Sequence, residues 1–358
     1  MTAPRLLGIV EGFYGRNWSW AARSDYAAFM AGQGMNSYIY APKGDARLRS
    51  NWRSLWTDEE LAALGDCAAT YRQHGLVFAI GLSPLGLADA DASNGTLSLA
   101  AADLQQLLAK LEQIASIDNR LLCVLFDDVK SGGATMAARQ LAICEAICES
   151  ALFDELIICP SYYSSDPILE KLFGERPAGY WEQLGEGLPA NVGVFWTGTR
   201  VCSRHYHSDD LLFISEQLQR APVLWDNYPV NDGQRSSQFL HLAEFGHEPE
   251  LGKYVAGHFA NPMNQPGLSQ IPLRSLARNY RQPGPGADDD FIAVCGPELG
   301  QCLREDQQLF ETTGLAGMTD AQRRSLVQRY QHHDHPVARE VLDWLQDGYA
   351  FDPACLTG

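Results

Sequence analysis

The stretch LLCVLFDDVK, residues 121–130, carries six apolar residues, Leu121 to Phe126, directly into two carboxylates, Asp127 and Asp128. A short apolar run of this kind is typical of a strand that is buried on both faces of a parallel sheet. Because burial of an unpaired charge is costly, the two aspartates must either meet water and partners at the strand end or take part in chemistry. The stretch therefore predicts a buried parallel strand with a polar carboxyl end.

Seven further apolar, β-rich runs of similar length occur in the first three quarters of the chain, at 6–10, 37–40, 77–81, 155–159, 192–196, 222–225 and 254–259. Helical patterns lie between most of them, and Ser19 and the Thr57–Glu60 capping box mark two helix starts. Strands that alternate with helices in this way predict a (β/α)8 barrel. A doubly wound open sheet is the alternative, but it usually has fewer strands, and no G-x-G-x-x-G follows the first run.

The segment RQPGPGADDD, residues 281–290, has the composition of a linker. Residues 291–351 have helical character and no strand signal. We therefore predict a barrel over residues 1–282 and a small α-helical C-terminal region over 283–358. The acidic run 288–290 is interpreted as a solvated helix start.

The overall charge and the cysteines limit the class of protein. A net charge of −17 argues against nucleic acid and against an anionic membrane surface as partners. No secretory signal pattern and no membrane-spanning apolar stretch is visible. Nine cysteines, an odd number without a C-x-x-C pair, favour reduced thiols and a cytoplasmic location. Without a phosphate-binding Gly-rich loop or a spaced metal-ligand cluster, we expect no cofactor and no metal.

Barrel enzymes carry their sites at the carboxyl ends of the strands, so the residues that follow each run are the candidates. Most runs are followed by a polar or aromatic residue: Lys43, Asp127, Asp128, Tyr163, Trp225, Asn227, Asp232 and Asn261. Aromatic rings offer an apolar wall, and Asn, Asp and Lys hydrogen-bond hydroxyl groups. This set favours a carbohydrate ligand over a phosphate or a cofactor.

Ordinary glycosidases use two carboxyl groups on opposite sides of the scissile bond, about 5–9.5 Å apart. Neighbours on one strand point to opposite faces, so Asp127 and Asp128 suit that arrangement poorly. They fit a substrate-assisted reaction better, in which the sugar's own 2-acetamido oxygen is the nucleophile. One carboxylate would hold the amide N–H while the other protonates the leaving oxygen, and their proximity would drive their pKa values apart.

Seven segments together resemble, in order, the motifs of glycoside hydrolase family 84, the O-GlcNAcases and bacterial β-N-acetylglucosaminidases. They are GIVEGFYGRNWSW (8–20), YIYAPKGD (38–45), VLFDDVK (124–130), CPSYY (159–163), FWTG (195–198), APVLWDNYPVND (221–232) and ANP (260–262). The resemblance covers about residues 5–265. It implies a (β/α)8 barrel and substrate-assisted hydrolysis with retention of configuration.

The resemblance also implies residue roles. Asp127 would orient and polarise the acetamido group, and Asp128 would be the general acid and then the general base. Tyr163 would hydrogen-bond near the acetamido oxygen, while Trp225 and Cys159 would line the pocket for the acetyl methyl. The sugar hydroxyls or the acetamido group would be held by Gly12 (through its backbone), Lys43, Asn227, Asp232 and Asn261. Asp232 and Asn261 would serve O4 and O6.

The chain departs from the animal members at Gly233, where they have a tyrosine, so the resemblance does not extend to the lining of the aglycone side at this position. The sequence thus predicts a retaining exo-β-N-acetylglucosaminidase that removes O-linked GlcNAc from protein Ser/Thr. Three alternatives stay open: a hexosaminidase acting on chitin or cell-wall GlcNAc oligosaccharides, a GlcNAc-binding barrel without turnover, and a metal-assisted barrel enzyme with Asp127 and Asp128 as Mg²⁺ ligands. The expected partner is a terminal β-linked GlcNAc glycoside.

Overall fold

The structure, a computed structural model, describes residues 3–87, 99–128, 133–281 and 289–356. Eight parallel strands form a closed barrel in chain order, and the last strand pairs with the first. The strands are β1 Leu6–Glu11, β2 Ser37–Tyr40, β3 Val77–Leu82, β4 Leu121–Leu125, β5 Glu155–Cys159, β6 Gly193–Trp196, β7 Val223–Asp226 and β8 Gly257–Ala260. The (β/α)8 barrel predicted from the sequence is confirmed.

Apolar side chains on both faces explain why these segments form the barrel wall. Every residue of β1, β2, β4, β7 and β8 is buried. One face fills the barrel interior and the other packs under the surrounding helices, as parallel sheets require. All eight predicted runs contain a strand, but the run at 254–259 begins too early. Tyr254 instead ends a 3₁₀ turn, Pro249–Lys253, and the strand starts at Gly257.

Eight α-helices accompany the strands in the described ranges: α1 Trp20–Gln33, α2 Asp58–Gln73, α3 Ala101–Ser116, α4 Met136–Glu149, α5 Pro167–Phe173, α6 Tyr180–Gly187, α7 Ser208–Leu218 and α8 Pro266–Arg278. Ser19 caps α1, and Thr57 with Glu60 forms the predicted capping box of α2. The short helices α5 and α6 were not predicted. Residues 227–256, all of them described, connect β7 to β8 with 3₁₀ turns and no α-helix.

The C-terminal region is helical, with α9 Asp290–Cys295, α10 Pro297–Gln308, α11 Gly314–Gly317, α12 Asp320–Tyr330 and α13 Pro336–Leu345. Its apolar residues, including Phe310 and Trp344, share a hydrophobic cluster with Met263 and Leu268 of the barrel. The region therefore packs on the barrel through an apolar cluster to which both contribute. The predicted boundary at 282/283 lies outside the described residues.

The acidic run near the start of α9 does not behave as a solvated helix start throughout. Asp289 does cap the helix by accepting hydrogen bonds from Phe291 N and Ile292 N. Asp290, however, is buried and pairs with Arg274 at 2.9 Å and Arg278 at 2.7 Å, both on α8. The expectation is thus wrong for Asp290, because two arginines from another helix compensate its burial.

Polar contacts fasten the C-terminal region to the barrel beside the strand ends. The Glu340 carboxylate accepts hydrogen bonds from Gly267 N and Leu268 N, both at 2.8 Å, in the first turn of α8. Arg16, in the loop after β1, pairs with Asp343 at 2.9 Å. Burial raises the pKa of Glu340 to about 7.

Among the described residues, no helix combines the length and hydropathy needed to cross a bilayer.

Candidate active site

The carboxyl ends of the strands open on one cavity of about 510 Å³ that is continuous with solvent. All the site residues predicted from the sequence line it: Gly12, Lys43, Asp127, Asp128, Cys159, Tyr163, Trp225, Asn227, Asp232 and Asn261. With Thr197 after β6, the cavity collects residues from seven of the eight strand ends, which only the closed barrel brings together.

The chain path after β4 explains how both aspartates reach this cavity. The strand ends at Leu125, so the side-chain alternation of a strand does not apply to Asp127 and Asp128. Asp128 has a φ of 57°, in the left-handed region that few residues other than glycine adopt. Such a conformation costs of order 1–3 kcal/mol and is often found at functional sites. Here the turn directs two consecutive carboxylates into the same cavity.

Asp127 is the buried, ionised member of the pair. Its Oδ2 forms an ion pair with Lys43 Nζ, and both side chains are buried. Burial alone would raise the pKa of Asp127, but the positive charges of Lys43 and Arg49 outweigh it and hold that pKa below its ordinary value. Oδ1 has no hydrogen-bond partner among the described residues. One carboxylate oxygen is therefore left for a donor from a ligand.

Asp128 has the opposite tendency. It is half-buried and accepts hydrogen bonds from Tyr14 Oη at 2.8 Å and from Tyr163 Oη at 3.2 Å. Burial, and after it the negative charge of Asp127, raises the pKa of Asp128 above its ordinary value. The two neighbouring carboxyl groups are thus suited to different protonation states, one as a carboxylate and the other as an acid.

A hydrogen-bonded network holds the opposite wall of the cavity. Asn227 Oδ1 accepts from Trp225 Nε1 and from Asn261 Nδ2, both at 3.0 Å. Asn261 Oδ1 accepts in turn from Gly12 N at 3.2 Å, and Asn227 Nδ2 donates to Val201 O at 2.8 Å. The ring of Trp225 is fixed by this network. The two asparagines brace this wall, and the contacts with the sugar hydroxyls or the acetamido group that the resemblance implies for them stay predictions.

Asp232 lies on the same wall and is linked to the aspartate pair through Tyr14. Its Oδ2 accepts a hydrogen bond from Tyr14 N at 2.8 Å, while the hydroxyl of the same tyrosine donates to Asp128. Burial raises the pKa of Asp232 to about 6. Asp232 can therefore accept from a sugar hydroxyl when ionised and donate when protonated.

Tyr163 also lines the cavity, and its hydroxyl donates to Asp128 Oδ1 at 3.2 Å. Its expected place beside the acetamido oxygen stays a prediction. Cys159 is buried in the cavity wall, and burial raises its pKa well above the ordinary value, so the thiol stays protonated and acts as a small apolar group.

Six lining residues were not predicted: Tyr14, Thr197, Val201, Cys202, Val230 and Cys355. Tyr14 and Thr197 belong to the strand-end motifs EGFYG and WTG, so their positions carried a signal. Val201, Cys202 and Val230 lie in loops whose residue types do not distinguish them. Cys355 comes from the C-terminal region, and its arrival at the cavity depends on how that region packs.

The charges around the aspartates bear on the metal-assisted alternative. Lys43 and Arg49 both stand beside Asp127, so a divalent cation at the pair would be repelled by two positive charges. In the ranges that the structure describes, no group of three or more His, Cys, Asp or Glu side chains could hold a metal ion. The donor set therefore does not fit a Mg²⁺ site.

Comparison with known proteins agrees with this geometry. Residues 7–290 match the family model described as beta-N-acetylglucosaminidase. The chain is 29% identical over 296 residues to Protein O-GlcNAcase of Rattus norvegicus and equally to that of Mus musculus. Each match covers 80% of this chain and 31% of the relative, so the chain spans about a third of the curated relatives it matches.

Solved structures of similar proteins share the fold across nearly the whole chain. A mutant of the Thermobaculum terrenum O-GlcNAc hydrolase superposes with a TM-score of 0.74 at 26% identity, covering 96% of this chain and 81% of that chain. The barrel and the C-terminal helices are both included in an overlap of this extent.

Proposed function

The chain belongs to the beta-N-acetylglucosaminidase family, glycoside hydrolase family 84, and on that premise we propose that it is a retaining exo-β-N-acetylglucosaminidase whose nucleophile is the acetamido oxygen of its substrate. The proposal rests on the opposite pKa shifts of the two neighbouring aspartates. Lys43 and Arg49 lower the pKa of Asp127 and keep it ionised. Burial and the negative charge of Asp127 raise the pKa of Asp128 and favour its protonated form. A substrate-assisted reaction needs these two states side by side.

In the first step the acetamido oxygen attacks C1 and the glycosidic bond breaks. Asp127 Oδ1, which has no hydrogen-bond partner among the described residues, accepts the amide N–H and stabilises the positive charge that develops there. Asp128 transfers its proton to the leaving oxygen. The products of this step are the free aglycone and a bicyclic oxazoline ring that keeps the N–H, carries the positive charge and remains bound.

In the second step Asp128, now a carboxylate, takes a proton from a water molecule, and the water oxygen attacks C1. The C1–O bond of the oxazoline ring breaks, which restores the acetamido group and returns the electron pair to its oxygen. Because C1 has been attacked twice from opposite faces, the released sugar has the β configuration of the substrate. Tyr14 and Tyr163 hold the Asp128 carboxyl in both steps.

The remaining lining residues place the sugar. Trp225 and the protonated Cys159 offer the apolar surface for the acetyl methyl, and Asp232 is the group best suited to the distal hydroxyls. We propose O-GlcNAc-modified protein as the substrate. Support comes from the similarity to Protein O-GlcNAcase at 29% identity and to an O-GlcNAc hydrolase at 26% identity, and the chain spans only about a third of the animal proteins. A cytoplasmic location is proposed from the cysteine pattern of the sequence alone.

Hydrolysis of three substrates tests the proposal: an aryl β-GlcNAc glycoside, an O-GlcNAc peptide and a β-linked GlcNAc oligomer. We expect the first two to be cleaved. Faster cleavage of the oligomer than of the peptide would favour the chitin or cell-wall alternative. Binding of GlcNAc without release of product from any of them would leave the non-catalytic barrel as the function.

Two variants test the residue roles. Asp127→Asn should abolish turnover of all three substrates. Asp128→Asn should lower turnover far more for poor leaving groups than for activated aryl groups, because only the former need protonation. Equal losses for both classes would contradict the assignment of Asp128 as the acid. Asp334→Asn, at a surface ion pair whose carboxylate side chain is 92% exposed, is the matched control.

A further inference from the structure

Arg49 stands behind the aspartate pair without being part of the cavity lining. It follows the 3₁₀ turn Ala46–Leu48, which begins at Asp45. Asp45 fixes this turn by accepting hydrogen bonds from Arg47 N and Tyr40 Oη, both at 2.9 Å. Because Lys43 precedes the same turn, the loop after β2 brings two cations to one carboxylate.

The environment of Arg49 is unusual for a guanidinium. Its side chain is only 15% exposed, and its Nη1 lies 4.0 Å from Asp127 Oδ2, which is beyond hydrogen-bond distance. This Nη1 is buried and has no hydrogen-bond partner among the described residues. A buried donor without a partner is rare and requires an explanation. At this distance Arg49 still acts on Asp127 through its charge.

We propose that Arg49 is a positioning residue for the reaction, acting on the aspartate pair through its charge. The inference rests on the proposed function. Lys43 and Arg49 both approach Oδ2 of Asp127, so Oδ1 is the oxygen that faces the substrate. The two cations thereby fix the orientation of the carboxylate and keep it ionised.

The charge balance over the reaction makes Arg49 an additional cation at the site. While Asp128 is protonated, Lys43 neutralises Asp127. Once Asp128 has given up its proton, its negative charge is matched by the positive charge of the oxazoline ring, which keeps the amide N–H. Arg49 therefore favours ionisation of Asp127 throughout the reaction, and of Asp128 when that residue acts as the base.

The charged and titratable groups that face Asp127 come from four strand ends. Lys43 and Arg49 approach from the loop after β2, and Asp128 from the turn after β4. The other groups are Tyr14 after β1, and Cys159 and Tyr163 at and after β5. Burial raises the pKa of Tyr14 and of Cys159, so both stay neutral near pH 7. Lys43 and Arg49 are therefore the two positive charges in this set.

The test is the pH profile of kcat/KM for an alkyl β-GlcNAc glycoside, measured for the wild type and Arg49→Gln. Loss of the nearby cation should raise the pKa of both carboxyl groups. The acid limb (ionisation of Asp127) should move up by at least roughly one pH unit, the value for two charges about 4 Å apart at the dielectric constant of water. The alkaline limb (proton loss from Asp128) should move in the same direction. KM should change by less than about twofold, because Arg49 does not line the cavity.

Arg47→Gln is the matched control, because Arg47 lies on the same loop but pairs with Glu60 at 3.1 Å, away from the aspartates. Its profile should coincide with that of the wild type. Arg49→Lys keeps the charge and should restore both limbs to within a few tenths of a unit. A fall in kcat for Arg49→Gln with both limbs unmoved would show a structural role and overturn the proposal.

If Arg49→Gln fails to fold, the pH profile of Arg49→Lys tests the proposal by itself. Limbs of the kcat/KM profile near their wild-type positions would support the role of the charge, and displaced limbs would contradict it. A further measurement uses Arg49→Ala with added guanidinium chloride at millimolar concentration. The cation should restore the wild-type limbs, whereas recovery of kcat without movement of the limbs would also refute the proposal. Wild-type protein that hydrolyses no β-GlcNAc glycoside would contradict the proposed function itself, which is a separate outcome.

Discussion

Replacement of Gly12 by alanine would place a methyl group inside the space occupied by Trp225. A Cβ built at this glycine lies 2.2 Å from Cζ2 and 2.8 Å from Cη2 of the indole ring. Ordinary contact between carbon atoms is about 3.5–4.0 Å. The ring or the end of β1 would therefore have to move by more than about 1 Å.

Neither partner can move freely. Trp225 packs edge-on against Phe195, with ring centroids 5.2 Å apart, and its Nε1 is bonded to Asn227 at 3.0 Å. Gly12 N is tied to Asn261. Overpacking of this kind typically costs about 1–3 kcal/mol. Because a misplacement of about 1 Å in a site can reduce the rate of the reaction by about 10²-fold, we expect Gly12→Ala to lower kcat/KM by roughly 10- to 100-fold.

The assay is hydrolysis of an aryl β-GlcNAc glycoside, with chemical denaturation in parallel. Gly32→Ala is the matched control, since Gly32 is exposed on α1 and no described heavy atom lies within 4 Å of its added Cβ. This change should leave kcat/KM unaltered and stabilise the fold by up to about 1 kcal/mol through helix propensity. If Gly12→Ala kept kcat/KM within twofold of the wild type, Trp225 would not be a wall of the sugar site.

Three further predictions concern single side chains. Tyr14→Phe removes a hydrogen bond that favours the ionised form of Asp128, so the alkaline limb of the kcat/KM profile should move to higher pH; a downward shift would refute that role. Lys43→Met leaves the buried Asp127 carboxylate without its closest cation and should reduce the free energy of unfolding by about 3–5 kcal/mol at neutral pH. Denaturation that shows a loss under 1 kcal/mol would contradict the ion pair. Glu340 has a pKa raised to about 7 in the folded state, above its ordinary value, so the folded state binds more protons than the unfolded state between those values. Stability should therefore fall by up to about 3 kcal/mol as pH rises through this window, and Glu340→Gln should lack that slope in urea titrations; an equal slope in the variant would place the titration elsewhere.

The barrel could be predicted because its strands are short, apolar on both faces and separated by helical patterns. Polar residues at the run ends then indicated the site, since parallel strands deliver their carboxyl ends to one place. Fewer features could be predicted where packing between distant parts of the chain determines the structure. The strand at Gly257–Ala260 was placed too early because the apolar residues before it belong to a turn and a bend.

Two features of the site depend on contacts that have no local signal. The left-handed conformation of Asp128 arises from the turn after β4, and an Asp-Asp pair alone does not indicate it. In the sequence, Arg49 is one of several arginines in a charged segment, and only the folded barrel brings it close to Asp127. Cys355 reaches the cavity from the far end of the chain because the C-terminal helices dock beside the loop after β1. Tyr14 lies within a recognised motif, but its hydrogen bonds to Asp128 and Asp232 could be found only from the folded structure.

The anomeric configuration of the first sugar released tests the central claim most directly. Proton NMR of an aryl β-GlcNAc reaction at high enzyme concentration distinguishes the two anomers before they interconvert. Attack by the acetamido oxygen, followed by attack of water activated by Asp128, predicts that the β anomer appears first and the α anomer only later by mutarotation. If the α anomer is the first product, water attacks the glycoside directly, and the assignment of Asp127 and Asp128 to a substrate-assisted mechanism is wrong.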